Sequence, residues 1–566
     1  MHEGVNLLKA KHEMSFGFDL NYVRTVQESS NFFSRGGVYF NPTYTAQLEL
    51  NSSGQLTPVA GSGNSFADFL LGTPMNGSVT SMPRTHFRWI AASPYLQDTW
   101  RALPHLTFNL GLGWNLSTPP NPVGNENYPH EFDFNTGQVK FAALGQISPK
   151  IYNIDLNNYA PRAGIAWQPT FLHGTTIRAG AGTYYPAENA ICELFAITAP
   201  GVAIVQSITN QSPVTPSFVL GQNVFPPMTQ VKISQSFADN ISGTLFNLDS
   251  KLRTTYINQW SLAIQHELAS NTIVEVDYIG TQSRKLPIRW NADDCSVRGS
   301  LICDQSVRPY KQFNYIYAAA NEGTSSYNAF VAKIQRQFTQ GLSFVANYTW
   351  SKALSNTEQG GAPVGLNQRG VCLSCDKGMT GYNVPRRLVA SGVWDLPIGK
   401  QKRHLNDISP AFDRIVGGWT LDAIATFSQG FPFTVLAASS TSMDPMTNFR
   451  ADQLCDGRST LKNKSVRSNG HYWFDTSCFA KPAPNYFGNS APNIITGPGI
   501  NNWDIGAGKL IRLSEITALQ FRADAFNALN HAQFMNPDSN MSDTNFGKIT
   551  TAGPSREIQL SLKILW

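Results

Sequence analysis

The sequence predicts an all-β protein, a transmembrane antiparallel up-and-down β-barrel of the outer-membrane type, on three observations. The last ten residues set Ile558, Leu560, Leu562, Ile564 and Trp566 in one phase and Gln559, Ser561 and Lys563 in the other. A period of two gives a strand with one apolar and one polar face. Segments of the same kind recur along the whole chain, and short connections alternate with long ones. An apolar face ending on a terminal aromatic suits the closing strand of such a barrel, and we read these five residues as the signal taken up by barrel-assembly machinery. The last strand of a soluble β-sandwich fits this one segment equally well, so the rest of the chain decides.

Composition favours the barrel. Only 14% of the 566 residues are charged, against roughly 25% in soluble domains. Aromatics are abundant, with 34 Phe, 19 Tyr and 12 Trp, yet no apolar run approaches the roughly 20 residues of a membrane helix. Lipid-facing and lumen-facing residues average out in a barrel strand, which reconciles the two facts. The net charge is +5 and no basic run stands out, so nucleic acid is not an expected partner. Met1-His2-Glu3-Gly4-Val5-Asn6 carries no charged segment followed by an apolar one, so no signal peptide is read there. An outer-membrane protein must cross the inner membrane, and the expectation is a chain without its natural beginning.

The strands follow in order. Met14, Phe16, Phe18, Leu20 and Tyr22 form the first apolar face, and Leu106, Phe108, Leu110, Leu112 and Trp114 a later one opposite Thr107, Asn109 and Gly111. Further faces run through Trp260, Leu262 and Ile264, through Phe344, Ala346, Tyr348 and Trp350, and through Trp419, Leu421, Ala423 and Phe427. Leu519, Phe521, Ala523 and Ala525 precede the last strand. The alternation predicts about fourteen strands: 13–24, 86–100, 105–117, 157–168, 174–185, 254–268, 271–280, 327–338, 341–352, 385–397, 415–429, 502–512, 516–526 and 556–566. Short turns at 101–104, 169–173, 269–270, 339–340 and 513–515 alternate with Gly/Pro/Asn/Ser-rich stretches at 118–156, 186–253, 281–326, 353–384, 430–501 and 527–555. Residues 398–414 are a longer link on the short side. Barrels have short periplasmic turns and long extracellular loops, whereas a sandwich has no reason to put every long loop at one end.

That parity places Trp114, Trp350 and Trp503 at the outer strand ends, and Trp167, Trp394, Trp419 and Trp566 at the inner ends. All lie in the apolar phase, as two interfacial aromatic girdles require. Arg336 and Lys509 fall in the same phase; both lie near inner ends, where a long side chain can snorkel to the headgroups or a bulge can turn it. Arg522, Asp524 and Lys563 share the lumen phase of the last two strands.

All seven cysteines fall in the long loops. Cys295 with Cys303, Cys372 with Cys375, and Cys455 with Cys478 read as neighbouring disulfide pairs of an exported protein, with Cys192 left over. The rival reading, a metal site at Cys372-Leu-Ser-Cys375, has no second pair of ligands nearby. None of the metalloprotease, serine-hydrolase or phosphate-loop patterns occurs. Asp293-Asp294 reads as a solvated turn. No enzyme activity, cofactor or catalytic residue is expected.

Several stretches resemble a known family. They are Ser65-Phe-Ala-Asp-Phe-Leu-Leu-Gly-Thr-Pro74, Tyr95-Leu-Gln-Asp-Thr-Trp100, Asn158-Tyr-Ala-Pro-Arg-Ala-Gly164 and Tyr348-Thr-Trp-Ser-Lys-Ala-Leu354. Then come Asn383-Val-Pro-Arg-Arg387, Trp394-Asp-Leu-Pro-Ile-Gly399, Gly417-Gly-Trp419, Ser428-Gln-Gly-Phe-Pro432, Phe521-Arg-Ala-Asp-Ala-Phe-Asn-Ala-Leu-Asn530 and Asn545-Phe-Gly-Lys-Ile549. In this order they resemble the Oar-like TonB-dependent receptors of acidobacteria. The resemblance implies a 22-stranded barrel preceded by a plug domain, a carboxypeptidase-regulatory-like domain and a signal peptide. With those absent, residues 1–566 are expected to be the barrel portion of an N-terminally truncated receptor. It implies binding of an external ligand through the long loops, with import driven by TonB through the plug. Oligosaccharide, peptide and metal chelate are all compatible ligands, and outer-membrane lipid and the barrel-assembly machinery are the other expected partners. The alternative is a self-closed passive channel, like a porin without a plug.

Overall fold

The computed structural model describes residues 1–27, 36–81, 85–123, 129–150, 152–186, 204–210, 212–216, 218–221, 231–293, 308–357, 372–400, 402–437, 450–457, 470–483, 487–514 and 516–566. Its main sheet has nineteen hydrogen-bonded strands, of which four are short additions. The other fifteen run as one antiparallel meander. In chain order these are β1 (His2–Lys9), β2 (His12–Gln27), β3 (Thr85–Leu103), β4 (Leu106–Trp114) and β5 (Tyr159–Trp167). Next come β6 (Thr175–Tyr184), β7 (Tyr256–Ala269), β8 (Thr272–Asn291), β9 (Phe313–Thr339) and β10 (Leu342–Ser355). The run ends with β11 (Arg386–Asp395), β12 (Trp419–Ser428), β13 (Ile500–Arg512), β14 (Ala518–Phe526) and β15 (Glu557–Leu565).

The register carries one apolar face across the sheet. Ile564, Leu562 and Leu560 lie opposite Leu519, Phe521 and Ala523, which lie opposite Ile511, Lys509 and Ala507. The same face continues through Leu421, Trp394 and Leu342, then through Ile334, Val274 and His266, and on to Phe16 and Val5. Its side chains are exposed although apolar: Leu112, Leu262, Phe330, Trp350 and Ile558 all stand open. The opposite phase carries Gln97, Asn109, Arg162, Gln259, Asp422 and Arg522. A sheet this long with one continuous exposed apolar face is the wall of a membrane barrel, apolar toward lipid and polar inside.

The turns alternate as expected, and apart from the 396–418 link every long connection leaves from the same end. Three differences from the sequence reading have physical causes. First, β1 is an additional strand: Leu7-Leu8 and Gly4 interrupt its alternation, but it pairs with β2 from His2 opposite Asp19 to Lys9 opposite His12. Second, β8 and β9 run to 20 and 27 residues, well past the 9–11 that cross a membrane. Their register shifts at Arg284–Leu286–Pro287, where Lys285 has φ 54°, break the period of two just where the strands leave the membrane. Third, the first residues of the expected strand 415–429 belong to a short helix instead.

No ladder joins β1 to β15 among the described residues. Every residue of β1 is exposed, and all of β15 except Ser561. Each edge strand therefore presents a row of unpaired backbone groups, and each such group costs several kcal/mol in hydrocarbon.

Outside the wall the loops pack into lobes. One lobe has a core of Phe132, Val139, Phe141, Leu245, Phe313 and Ile316, with Gly243–Leu248 pairing parallel to the start of β9. The second is built on Phe433, Val435, Ala451, Phe474, Phe479 and Ile495. The hydrophobic effect thus orders long loops that lack any periodic sequence pattern.

Candidate functional site

Two cavities are the candidates for ligand or plug contact. The first, about 520 Å³, lies on the polar face of β3–β8. It exists because side chains are missing there: Gly164 lies opposite both Gly180 and Asn109, and Arg162 opposite both Gly111 and Gly182. Arg162 stands over the ring of Tyr184, 4.7 Å from its centroid, so the cavity floor holds one cation against an aromatic face.

The second, about 720 Å³, opens at the long-loop end among Trp89, Asn115, Tyr152, Asp155, Arg253 and Asn321. Asp155 is buried and organises it. Its carboxylate accepts from Arg253 Nη1 at 3.2 Å and from the Thr254 backbone N–H at 3.1 Å. Asn158 Nδ2 donates to the Asp155 carbonyl and to Thr254 Oγ1, and Asn321 Nδ2 donates to the Arg253 carbonyl at 2.5 Å. Three segments distant in sequence, 155–158, 253–254 and Asn321, are therefore tied at one rim. Burial, and next the negative Asp155, push the Tyr185 phenol above its ordinary pKa. The Tyr152 hydroxyl is buried without a hydrogen-bond partner, and Tyr152 lines both this mouth cavity and a side cavity of about 230 Å³. Aromatic faces beside amide, carboxylate and guanidinium groups are what a polar, hydroxyl- or amide-bearing ligand needs.

The predicted lumen charges divide. Arg522 Nη2 reaches Asp422 Oδ2 at 2.9 Å and Asp524 Oδ1 at 2.8 Å, beside a third cavity lined by Arg522, Asp422, Thr420 and Ser391. Lys563 lies opposite Gln520 and makes no ion pair among the described residues. Asp422 is the partner the sequence reading missed; its phase, opposite Leu421 and Ala423, was the available signal.

The register puts Trp114, Trp167, Trp350, Trp394, Trp419 and Trp503 in the apolar phase of the wall. Trp114 stacks on Tyr159 at 5.8 Å, and Trp503 meets Phe427 edge-on at 5.5 Å. Arg336 sits beside a register shift before Thr339. Lys509 has a regular register and is buried, so neither bulge nor snorkelling accounts for it. Its ammonium instead donates to the carbonyls of Ile415 and Gly417.

Disulfides join Cys372 to Cys375 and Cys455 to Cys478; Cys192, Cys295 and Cys303 lie outside the described residues. Asp294 does too, but Asp293 is not a solvated residue. It is fully buried, accepts from the Tyr310 N–H at 2.9 Å, and its pKa is raised to about 6 by burial. Among the described residues no group of His, Cys, Asp or Glu is placed to hold a metal ion, and no helix is long and apolar enough to cross a membrane.

The model of the outer membrane beta barrel domain matches residues 1–559. The chain belongs to this family. It is an outer-membrane protein, and the barrel domain fills almost its whole length. No relative among curated proteins matches the chain. Among solved structures, the outer membrane transporter YddB from Escherichia coli is similar at 10% identity and a TM-score of 0.49, over 99% of this chain and 52% of that one. The FrpB iron transporter from Neisseria meningitidis is similar at 10% identity and 0.43, over 100% and 54%. The ferric enterobactin receptor PfeA from Pseudomonas aeruginosa, a mutant form, is similar at 11% and 0.45, over 100% and 53%. The barrel domain spans about half the length of each.

Proposed function

We propose that this chain forms most of the wall of a TonB-dependent outer-membrane receptor of the Oar-like kind. It binds a bulky polar ligand at the mouth cavity and imports it with energy passed from the inner membrane through a plug. The observation that carries the proposal is the pair of unpaired edges, β1 and β15, on an otherwise continuous wall. The described residues form fifteen wall strands, an odd number, whereas single-chain bacterial barrels have an even one, and lipid does not tolerate open edges. Further strands between β1 and β15 complete a barrel of the 22-stranded size, whose lumen is too wide to stay open and is filled by a plug. The glycine-floored cavity and the Arg522 cluster then lie on the surface that the plug meets. The resemblance of the ordered motifs from Ser65 to Ile549 supports the same reading.

Oligosaccharide, peptide and chelate all remain suitable ligands. The mouth, with Trp89, Tyr152 and Tyr185 beside Asn158, Asn321 and Arg253, favours one rich in hydroxyl or amide groups. The test is planar-bilayer recording of the protein taken natively from outer membranes. A plugged receptor gives no steady conductance. Long-lived open steps would instead support the passive channel.

A further inference from the structure

The link between β11 and β12, residues 396–418, is the longest connection at the short-turn end. Its helix α1 (Pro410–Val416) begins at Ser409, whose hydroxyl accepts from the Phe412 N–H, with Pro410 in the first turn. Asp413 ties the helix back to the start of the link by accepting from the Lys400 N–H at 2.6 Å. The last turn is fixed by two side chains from the apolar face of the wall. Lys509 Nζ donates to the Ile415 carbonyl at 2.9 Å and to Gly417, and Trp419 Nε1 donates to the Ile415 carbonyl at 3.0 Å. Lys509 and Trp419 lie opposite one another in the register, in the lipid-facing phase. The helix is therefore held against the outside of the barrel at its periplasmic rim, not in the lumen.

What the helix shows to its surroundings is apolar. Phe412 is 50% exposed and Ile415 67% exposed; three residues apart, they share one helix face. The same link carries the exposed cations Lys400, Lys402, Arg403 and Arg414, against Asp407 and an Asp413 already engaged with backbone. An exposed apolar helix face tied to the lipid-facing band, in a link rich in exposed cations, is the pattern of an interfacial membrane helix.

We propose that this link is an interfacial anchor: Phe412 and Ile415 enter the periplasmic leaflet, and Lys402, Arg403 and Arg414 bind anionic phospholipid headgroups there. Lys509 and Trp419 hold the helix at the depth where a long cation reaches the headgroups while apolar side chains enter the acyl region.

The test replaces Phe412, and separately Ile415, by p-benzoylphenylalanine in the full-length protein in native outer membranes. Both variants are first shown to fold by their shift between unboiled and boiled electrophoresis, and either alone suffices. After irradiation, the mass added to the peptide identifies the neighbour. The expected result is a phospholipid adduct at least about threefold more abundant than for the same label at Phe134 in the external loops, and richer in phosphatidylglycerol than the bulk leaflet. That enrichment disappears when Lys402, Arg403 and Arg414 are all changed to Gln. Adducts to a periplasmic protein, adducts to lipopolysaccharide, or lipid adducts no more abundant than at Phe134 would each overturn the proposal.

Discussion

Arg522 on β14 donates to Asp422 on β12 at 2.9 Å, reaching over the intervening strand β13. It can do so because Gly506, opposite Asp422 on one side and Asp524 on the other, has no side chain. A methyl group there would run into the Asp422 carboxylate. Half-exposed ion pairs contribute only about 0.2–1 kcal/mol each, so the cluster acts by fixing geometry on the inner wall more than by stabilising the fold. Gly506→Ala and Arg522→Gln should each lower the unfolding free energy by about 1 kcal/mol, and the double variant by much less than their sum. Urea denaturation of the four proteins checks this. Full additivity would mean that Gly506 and Arg522 act independently.

The second external lobe is joined to the β10–β11 loop by a fully buried pair, Arg450 Nη1 to Asp376 Oδ1 at 2.9 Å, with Arg450 also donating to the Cys375 carbonyl. Removing one partner of such a pair leaves a buried charge and costs about 3–5 kcal/mol. Asp376→Asn should raise amide exchange at Val435 and Ala451 without changing exchange in the ladder between β14 and β15. The double variant Asp376→Leu/Arg450→Met should recover most of the protection.

Asp293 gives the first lobe a pH dependence. Burial raises its pKa to about 6, against about 3.9 in an unfolded chain. Between these values the folded form binds the extra proton, so stability is fully present below about pH 4 and falls as pH rises through 6. Exchange at the Tyr310 amide, which donates to Asp293, should therefore quicken from pH 4 to pH 6 beyond its intrinsic rise. Asp293→Asn should flatten that excess; an unchanged profile in the variant would assign the effect elsewhere.

The Tyr152 hydroxyl is buried without a partner, and an unsatisfied buried polar group costs about 1–3 kcal/mol. Tyr152→Phe should leave the unliganded protein as stable or up to about 1 kcal/mol more stable by thermal melting, because it removes that group and keeps the ring. A loss above about 1 kcal/mol would show that the hydroxyl is satisfied in the folded protein.

The sequence made the wall legible because lipid on one face and water on the other force a period of two through every crossing strand. Strands such as β4, β10 and β12 could be read within a few residues for that reason. Where the constraint lapses, so does the signal. Beyond the membrane β8 and β9 continue with shifted register at Lys285, and neither their length nor the lobe cores around Phe132 and Phe474 follow any period. Lys509 looked anomalous because its phase was visible while its partners, the Ile415 and Gly417 carbonyls, are backbone groups of a helix that seven residues do not announce. Arg522 and Asp524 stood out by phase; Asp422 followed the same rule two strands away. The mouth residues Tyr152 and Asp155, three apart in one loop, meet Arg253 only through the folding of a separate loop, and nothing in the sequence joins the two.

The central proposal is that β1 and β15 are joined through further strands and not to each other. The measurement that tests it most directly is an immunoblot of native-host outer membranes, boiled and unboiled, with antibody to the 430–501 loop. The expected result is a heat-shifted band well above the 62.2 kDa of this chain, belonging to a complete, plugged receptor. A heat-shifted band at that mass would contradict it and assign the chain to a self-closed channel.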